Sequence, residues 1–118
     1  MNNPQAEPFI PPIVSVRGLR VVLDVDAAQL YQVGIEVLQR MVEEELARFP
    51  DDFMITLMPA EQKRFGPGRN AKVKYAFFPE GIAMLASVLN SPLAINGNVN
   101  MTRAFVYLDR MSACGQTN

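Results

Sequence analysis

Residues 13–46 read IVSVRGLRVVLDVDAAQLYQVGIEVLQRMVEEEL, and the fold begins in this stretch. β-Branched residues on both sides of Arg17-Gly18 predict a hairpin, with the glycine supplying the turn. Asp26 is expected to cap a short helix, in a capping box with Gln29. That helix is expected to stop at Gly34, because glycine adopts turn conformations without steric cost. The stretch therefore predicts two strands followed by helices.

A second helix is predicted from Ile35 to Phe49, where apolar residues recur at three- and four-residue spacing. Its expected buried stripe is Leu38, Met41, Val42, Leu46 and Phe49. Its outward face is expected to carry Glu36, Gln39, Arg40, Glu43, Glu44 and Ala47. Charges four residues apart (Glu36, Arg40, Glu44, Arg48) form an alternating ladder that is typical of an exposed helix.

The rest of the chain alternates short strands and helices. Phe53, Ile55 and Leu57 have the period of a half-buried strand, and a short helix is expected from Pro59 to Phe65. A strand is predicted over 72–78, a helix from Pro79, and a last helix capped by Ser91 and running to Met111. The predicted fold is α+β and winged-helix-like, in a single domain over 13–111, with a flexible proline-rich arm at 1–12 and a polar tail at 112–118. The predicted core is Leu30, Leu38, Val42, Phe53, Ile55, Phe77, Leu85, Leu89 and Phe105.

The composition excludes several classes of site. Histidine and tryptophan are absent, and Cys114 is the one cysteine. A serine or cysteine nucleophile activated by histidine cannot be assembled, and a structural zinc site lacks ligands. We therefore expect no enzyme activity, no metal, no cofactor and no small-molecule substrate. A single cysteine forms no internal disulfide, and no apolar run is long enough to span a membrane, so a cytoplasmic protein is expected.

Charge is unevenly distributed along the chain. The formal net charge is −1, whereas residues 36–61 sum to −5 and residues 62–74 sum to +5. The stretch KRFGPGRNAKVK, residues 63–74, could lie against a phosphate backbone. Arg69, Lys72 and Lys74 are the first candidates for DNA contact, followed by Lys63 and Arg64. The alternative is an exposed loop that its cations keep soluble.

Residues 26–46 also have the general form of a helix–turn–helix, in which the second helix enters the major groove. In that interpretation Gln39 and Arg40 would contact base edges. The alternative is an ordinary corner between two helices, since Glu43, Glu44 and Glu45 would repel phosphate.

Five segments occur in an order that is similar to a known family: VRGLRVVLD, AAQLYQV, ARFPDDFMITL, KYAFFPEGIAMLASVLNS and NMTRAFVYL. Residues 13–111 resemble the KilA-N-type phage DNA-binding domains, most closely the branch called the ORF-six N-terminal domain. The most specific segments are RFPDDFM, from Arg48 to Met54, and YAFFPEGIAMLASVLNS, from Tyr75 to Ser91.

The resemblance implies a module of bacteriophage, prophage and large DNA virus proteins. Such modules are thought to bind DNA, are related to winged DNA-binding domains and are often joined to a second domain. This chain has Ile35 where members have threonine, Gln39 where they have asparagine, and glutamates at 43–45 where they carry basic or amide residues.

Two functions remain open from the sequence. One is a DNA-binding module of a phage- or prophage-type regulatory or antirepressor protein, with double-stranded DNA as its partner. The other is a protein-interaction or dimerisation module on the same fold. A second copy of the chain or a C-terminal domain would then cover the apolar residues of the last helix, from Ser91 to Met111.

Overall fold

The computed structural model describes residues 11–68, 72–89 and 92–116, with residues 92–98 and 112–116 described by their backbone. Within these ranges the strands are β1 (Val14–Val16), β2 (Leu19–Leu23), β3 (Met54–Thr56) and β4 (Tyr75–Phe77). The helices are α1 (Asp24–Tyr31), α2 (Ile35–Glu44), α3 (Pro59–Phe65), α4 (Pro79–Leu89) and α5 (Pro92–Gln116), with one 3₁₀ turn at Leu46–Arg48. The α+β prediction is confirmed, whereas the likeness to a winged helix stays a prediction.

The four strands form one antiparallel sheet in the order β1-β2-β4-β3. The predicted hairpin is confirmed, with Val16 opposite Leu19 and positive φ at both turn residues, Arg17 (55°) and Gly18 (77°). Two consecutive positive φ values make a turn whose twist matches that of the flanking strands.

The sheet has a hydrophobic core on each face. The first core lies between the sheet and α1, α2, α4 and α5, and contains Val22, Phe77, Leu38, Leu85 and Phe105 among others. The second core lies on the α3 side and contains Val16, Val21, Leu23, Leu57, Phe65, Val73 and Ala76. Neighbouring residues of β2 and β4 alternate between the two cores, as a strand's period of two requires.

The predicted alternation of a half-buried β3 is wrong at Met54, because the sheet has a core on each face. Met54 is buried in the first core opposite Phe77, Ile55 packs partly against the second core, and Phe53 is half-buried. Thr56 and Met58 are exposed, as the alternation predicts, so only the first residue of the outward set is covered. Of the predicted core, Leu30, Leu38, Val42, Phe77, Leu85 and Phe105 are buried, and Leu89 is half-buried.

The first helix pair differs from the prediction at its boundaries. Helix α1 begins at Asp24, with Leu23 in the capping position, so the capping box at Asp26 is wrong. The helix ends at Tyr31, and Gln32 (φ 56°) adopts the left-handed conformation expected of Gly34. Gly34 has φ −64° and starts α2 instead, with its carbonyl accepting from the Leu38 amide.

Helix α2 is also shorter than predicted, ending at Glu44 rather than Phe49. Three consecutive glutamates at 43–45 place negative charge at the helix C-terminus, where the helix dipole disfavours it. The chain then bends through the 3₁₀ turn, which leaves Leu46 54 % exposed and buries Phe49 edge-on against Phe77.

The chain ends differ from the expected arm and tail where the structure describes them. Pro11 is buried, so the packed domain includes a residue expected in the arm. Helix α5 runs five residues past Met111, to Gln116, so residues 112–116 are helical. Residues 1–10, the expected cap Ser91 and residues 117–118 lie outside the described residues.

Candidate nucleic-acid interface

The basic stretch 63–74 packs against the second core near both of its ends. Phe65 at the end of α3 and Val73 before β4 are both buried there. The adjacent cations Lys63, Arg64 and Lys72 are exposed, and Lys74 is half-buried. The two ends of the stretch are therefore anchored on one small apolar cluster, with their cations outside it. Arg69, the first candidate from the sequence, lies outside the described residues.

A buried carboxylate holds the second end of this stretch. Asp24 is fully buried, and its Oδ2 accepts from the backbone amides of Lys74 (3.0 Å) and Tyr75 (3.1 Å), while Oδ1 accepts from the Val25 amide (2.7 Å). Extending the β2–β4 register by one residue places Asp24 opposite Tyr75, where β2 has already ended. The carboxylate thus takes the place of the next rung of the ladder and satisfies two backbone donors.

Burial raises the pKa of the Asp24 carboxyl above its ordinary value, although the hydrogen bond from Gln39 and those from the three backbone amides act in the opposite direction. A carboxylate in an apolar environment is costly unless donors surround it, and this one has four. Asp24 is therefore a structural residue whose donors come from several elements of the fold.

The fourth donor is Gln39, and the prediction that it lies on the outward face of α2 is wrong. Its side chain is buried, with 7 % of the residue exposed. Nε2 donates to Asp24 Oδ2 (2.8 Å) and to the Lys72 carbonyl (2.9 Å). Both amide hydrogens are used inside the protein, and the bond to Lys72 fixes the backbone of the basic stretch against α2.

Lys74 meets an acid from α2. Glu43 Oε2 accepts from the Tyr75 hydroxyl (2.7 Å) and lies 3.5 Å from Lys74 Nζ. The hydrogen bond from Tyr75 lowers the pKa of Glu43, and burial together with this carboxylate raises the pKa of Tyr75 to about 12. Lys74, which the sequence predicts as a DNA contact, is therefore paired with the Glu43 carboxylate in this structure.

Arg40 is exposed on α2, one residue after Gln39. The predicted charge ladder is wrong at its last rung, because α2 ends at Glu44 before reaching Arg48. Arg48 Nε lies 2.9 Å from Oε1 of Glu45 instead.

Two arginines donate hydrogen bonds to backbone carbonyls at the two edges of the sheet. The sequence did not predict this role. Arg17 Nη2 donates to the Thr56 carbonyl (3.3 Å) at the β3 edge, and Arg64 Nη2 donates to the Ser15 carbonyl (3.3 Å) at the β1 edge. In each strand the alternating antiparallel pattern directs these carbonyls away from the neighbouring strand. Each contact satisfies one acceptor that an edge strand would otherwise offer to another chain.

Arg17 also fixes the start of α3. Its Nε and Nη2 contact the two carboxylate oxygens of Glu61 at 2.8 and 2.7 Å, and Glu61 Oε1 also accepts from the Met58 amide (2.8 Å) as a helix cap. The guanidinium, followed by the Met58 amide, lowers the pKa of Glu61 to about 2. The hairpin turn thereby positions the helix that carries Lys63 and Arg64. No local pattern pairs these two residues, because they are 44 positions apart in the chain.

None of the helices in the described part of the chain has the length and apolar character needed to cross a lipid bilayer. The same residues contain no group of three or more His, Cys, Asp or Glu side chains placed to hold a metal ion.

Comparison with known proteins identifies the family. Neither the curated proteins nor the solved structures include a match to this chain. The family model described as ORF6N domain matches residues 11–88, which is 78 of the 118 residues. The match runs from Pro11, before β1, to Val88 in α4, and α5 lies beyond it. The chain belongs to the ORF6N domain family, a phage-associated family.

Proposed function

We propose that this chain is a DNA-binding module of a phage- or prophage-type regulatory or antirepressor protein, and that it contacts the phosphate backbone through residues 63–74. One observation carries the proposal. Phe65 and Val73 pack in one core, so that the exposed cations Lys63, Arg64 and Lys72 flank a single anchored segment. The family membership is compatible with this role.

Phosphate contact fits the chemistry of this surface better than base reading. Lysine and arginine next to a fixed backbone neutralise phosphates, which gives affinity without sequence information. Gln39, proposed from the sequence as a base reader, uses its amide inside the protein. Arg40 remains exposed on α2, but Glu36, Glu43 and Glu44 share the exposed surface of that helix. We therefore propose binding that depends weakly on DNA sequence and strongly on salt.

The experiment compares binding to a mixed-sequence duplex at about 50 and 200 mM salt, a range over which binding through phosphates weakens steeply. The variant K63A/R64A/K72A should bind more weakly to every duplex, with its salt slope reduced by about one for each phosphate that is no longer neutralised. The matched control is R103A/R110A, which removes two exposed arginines of α5. Equal affinity and slope in the triple variant and the wild type would contradict the proposal.

The second candidate function is a protein-interaction or dimerisation module that uses α5. Met101 and Phe105 are buried against the domain, whereas Val99, Val106, Tyr107 and Met111 on the same helix are 40–63 % exposed. Exposed apolar side chains repeated along one helix favour an interface. Sedimentation of the wild type and of V106E would test it. A dimer that V106E dissociates supports this function, and a wild-type monomer at high concentration contradicts self-association.

A further inference from the structure

We propose that Glu43 occupies, in the free protein, the position that a DNA phosphate oxygen takes on binding, so that this residue limits the affinity of the module. The inference rests on the proposed function, because it names the residue of α2 that regulates the same surface. It assigns Tyr75 and Lys74 as the donors to that phosphate.

The geometry at Glu43 is that of an anion site that is already filled. A single oxygen, Oε2, receives the Tyr75 hydroxyl at 2.7 Å and faces Lys74 Nζ at 3.5 Å. A hydroxyl and an ammonium that converge on one anionic oxygen form charge-assisted contacts that a phosphate oxygen accepts equally well. Lys72, two residues before Lys74, is exposed as well.

The backbone that carries the two donors is anchored, whereas Glu43 lies on an exposed helix end. Asp24 Oδ2 accepts from the backbone amides of both Lys74 and Tyr75, so the backbone of these residues is anchored to the protein interior. Glu43 is exposed and lies in the last turn of α2, a turn without a basic residue. Negative charge at a helix C-terminus is disfavoured by the dipole, so the helix itself does not stabilise Glu43 in this position. A phosphate that approaches would therefore displace Glu43 and retain the donors.

The test uses E43Q, which keeps the length of the side chain and an acceptor for Tyr75 but removes the charge that holds Lys74. With the mixed-sequence duplex at low salt, affinity should rise by roughly 3- to 10-fold, and the salt slope should steepen by about 0.9, the value of one further phosphate contact. The control is E36Q, which removes an equal charge from the exposed first turn of α2, outside the contacts to Tyr75 and Lys74. It should change affinity less than about twofold, because surface charges at a distance are screened.

A double variant separates release of Lys74 from a general increase in positive charge. In K74M the substitution E43Q should give no more than the effect of E36Q, because the freed cation is missing. As a check without DNA, E43Q should lower the pKa of Tyr75, because burial and then the Glu43 carboxylate raise it, and a tyrosine titration followed by NMR measures this.

The outcomes distinguish the two proposals. Stronger binding by E43Q alone, including the case where the wild type does not bind, supports the inference. Wild-type binding that E43Q leaves unchanged, or that E36Q strengthens equally, overturns the inference and leaves the proposed function standing. An unchanged Tyr75 titration also overturns it. If neither protein binds at low salt, both proposals are wrong.

Discussion

Gln39 donates to the buried carboxylate of Asp24 at 2.8 Å and, from the same nitrogen, to the Lys72 carbonyl at 2.9 Å. These two bonds join the first helix, the second helix and the basic segment. Asp24 adds the amides of Lys74 and Tyr75, so the backbone that carries the candidate phosphate contacts is held by side chains from the interior. The helix pair thereby positions the basic segment.

Replacing Gln39 by leucine should lower the free energy of unfolding by about 1–3 kcal/mol. The leucine fills a similar volume but leaves the buried Asp24 carboxylate and the Lys72 carbonyl without this donor. The matched control is R40A, at the exposed neighbouring position, which should stay within about 0.5 kcal/mol of the wild type. Urea unfolding monitored by circular dichroism measures both. Equal losses of stability in the two variants would show that the buried bonds contribute nothing.

Truncating Leu38 or Leu85 to alanine should cost ~2–5 kcal/mol each, because both side chains are fully buried in the first core. Leu46 provides the comparison, since the shortened α2 leaves it exposed, and L46A should cost far less. The same unfolding experiment applies. A loss of stability below about 1 kcal/mol at both buried positions would contradict the packing of α2 and α4 against the sheet.

Gly81 in α4 should not tolerate a side chain. A Cβ at this position would lie 2.0 Å from the Phe53 carbonyl oxygen, which belongs to the backbone and cannot turn away. G81A should therefore destabilise the fold by about 1–3 kcal/mol or more, although alanine is the better helix former. In the control G34A the nearest atom is a Val37 methyl at 3.7 Å, an ordinary contact. A melting temperature of G81A equal to that of the wild type would mean that α4 is farther from Phe53.

The Arg17–Glu61 pair should make stability depend on pH in the acid range. Glu61 has a pKa of about 2 in the folded protein against an ordinary 4.5, so folding favours its charged form. The stabilisation is complete above pH 4.5 and is lost as the pH falls towards 2. The difference in unfolding free energy between the wild type and E61Q should shrink over that range. A difference that stays constant from about pH 7 to about pH 2.5 would contradict the pairing.

Local signals in the sequence were sufficient for much of the fold. The Arg17-Gly18 turn, the proline at the start of α3 and the apolar spacing of α4 each depend on residues within a few positions, and the predicted elements are confirmed. The end of α2 was predicted wrongly because the apolar spacing continues to Phe49. The unfavourable charge of Glu43–Glu45 and the burial of Phe49 decide where the helix stops. The spacing of apolar residues contains no information about either.

The site was less predictable, because its contacts join residues far apart in the chain. Gln39 and Asp24 are 15 positions apart, and Glu43 and Tyr75 are 32 apart. A helical pattern places a glutamine outside by default, and only the partner carboxylate explains its burial. The cluster of cations at 63–74 was visible from composition, whereas the shared core of Phe65 and Val73 depends on tertiary packing.

The most direct test of the phosphate-binding surface is a map of backbone amide chemical shifts during titration with a mixed-sequence duplex at low salt. We predict the largest changes at residues 63–64 and 72–75, with smaller changes at the exposed positions of α2, such as Glu36, and of α5, such as Arg103. Changes centred on α2 or α5, or no change at saturating DNA, would contradict phosphate binding through this segment.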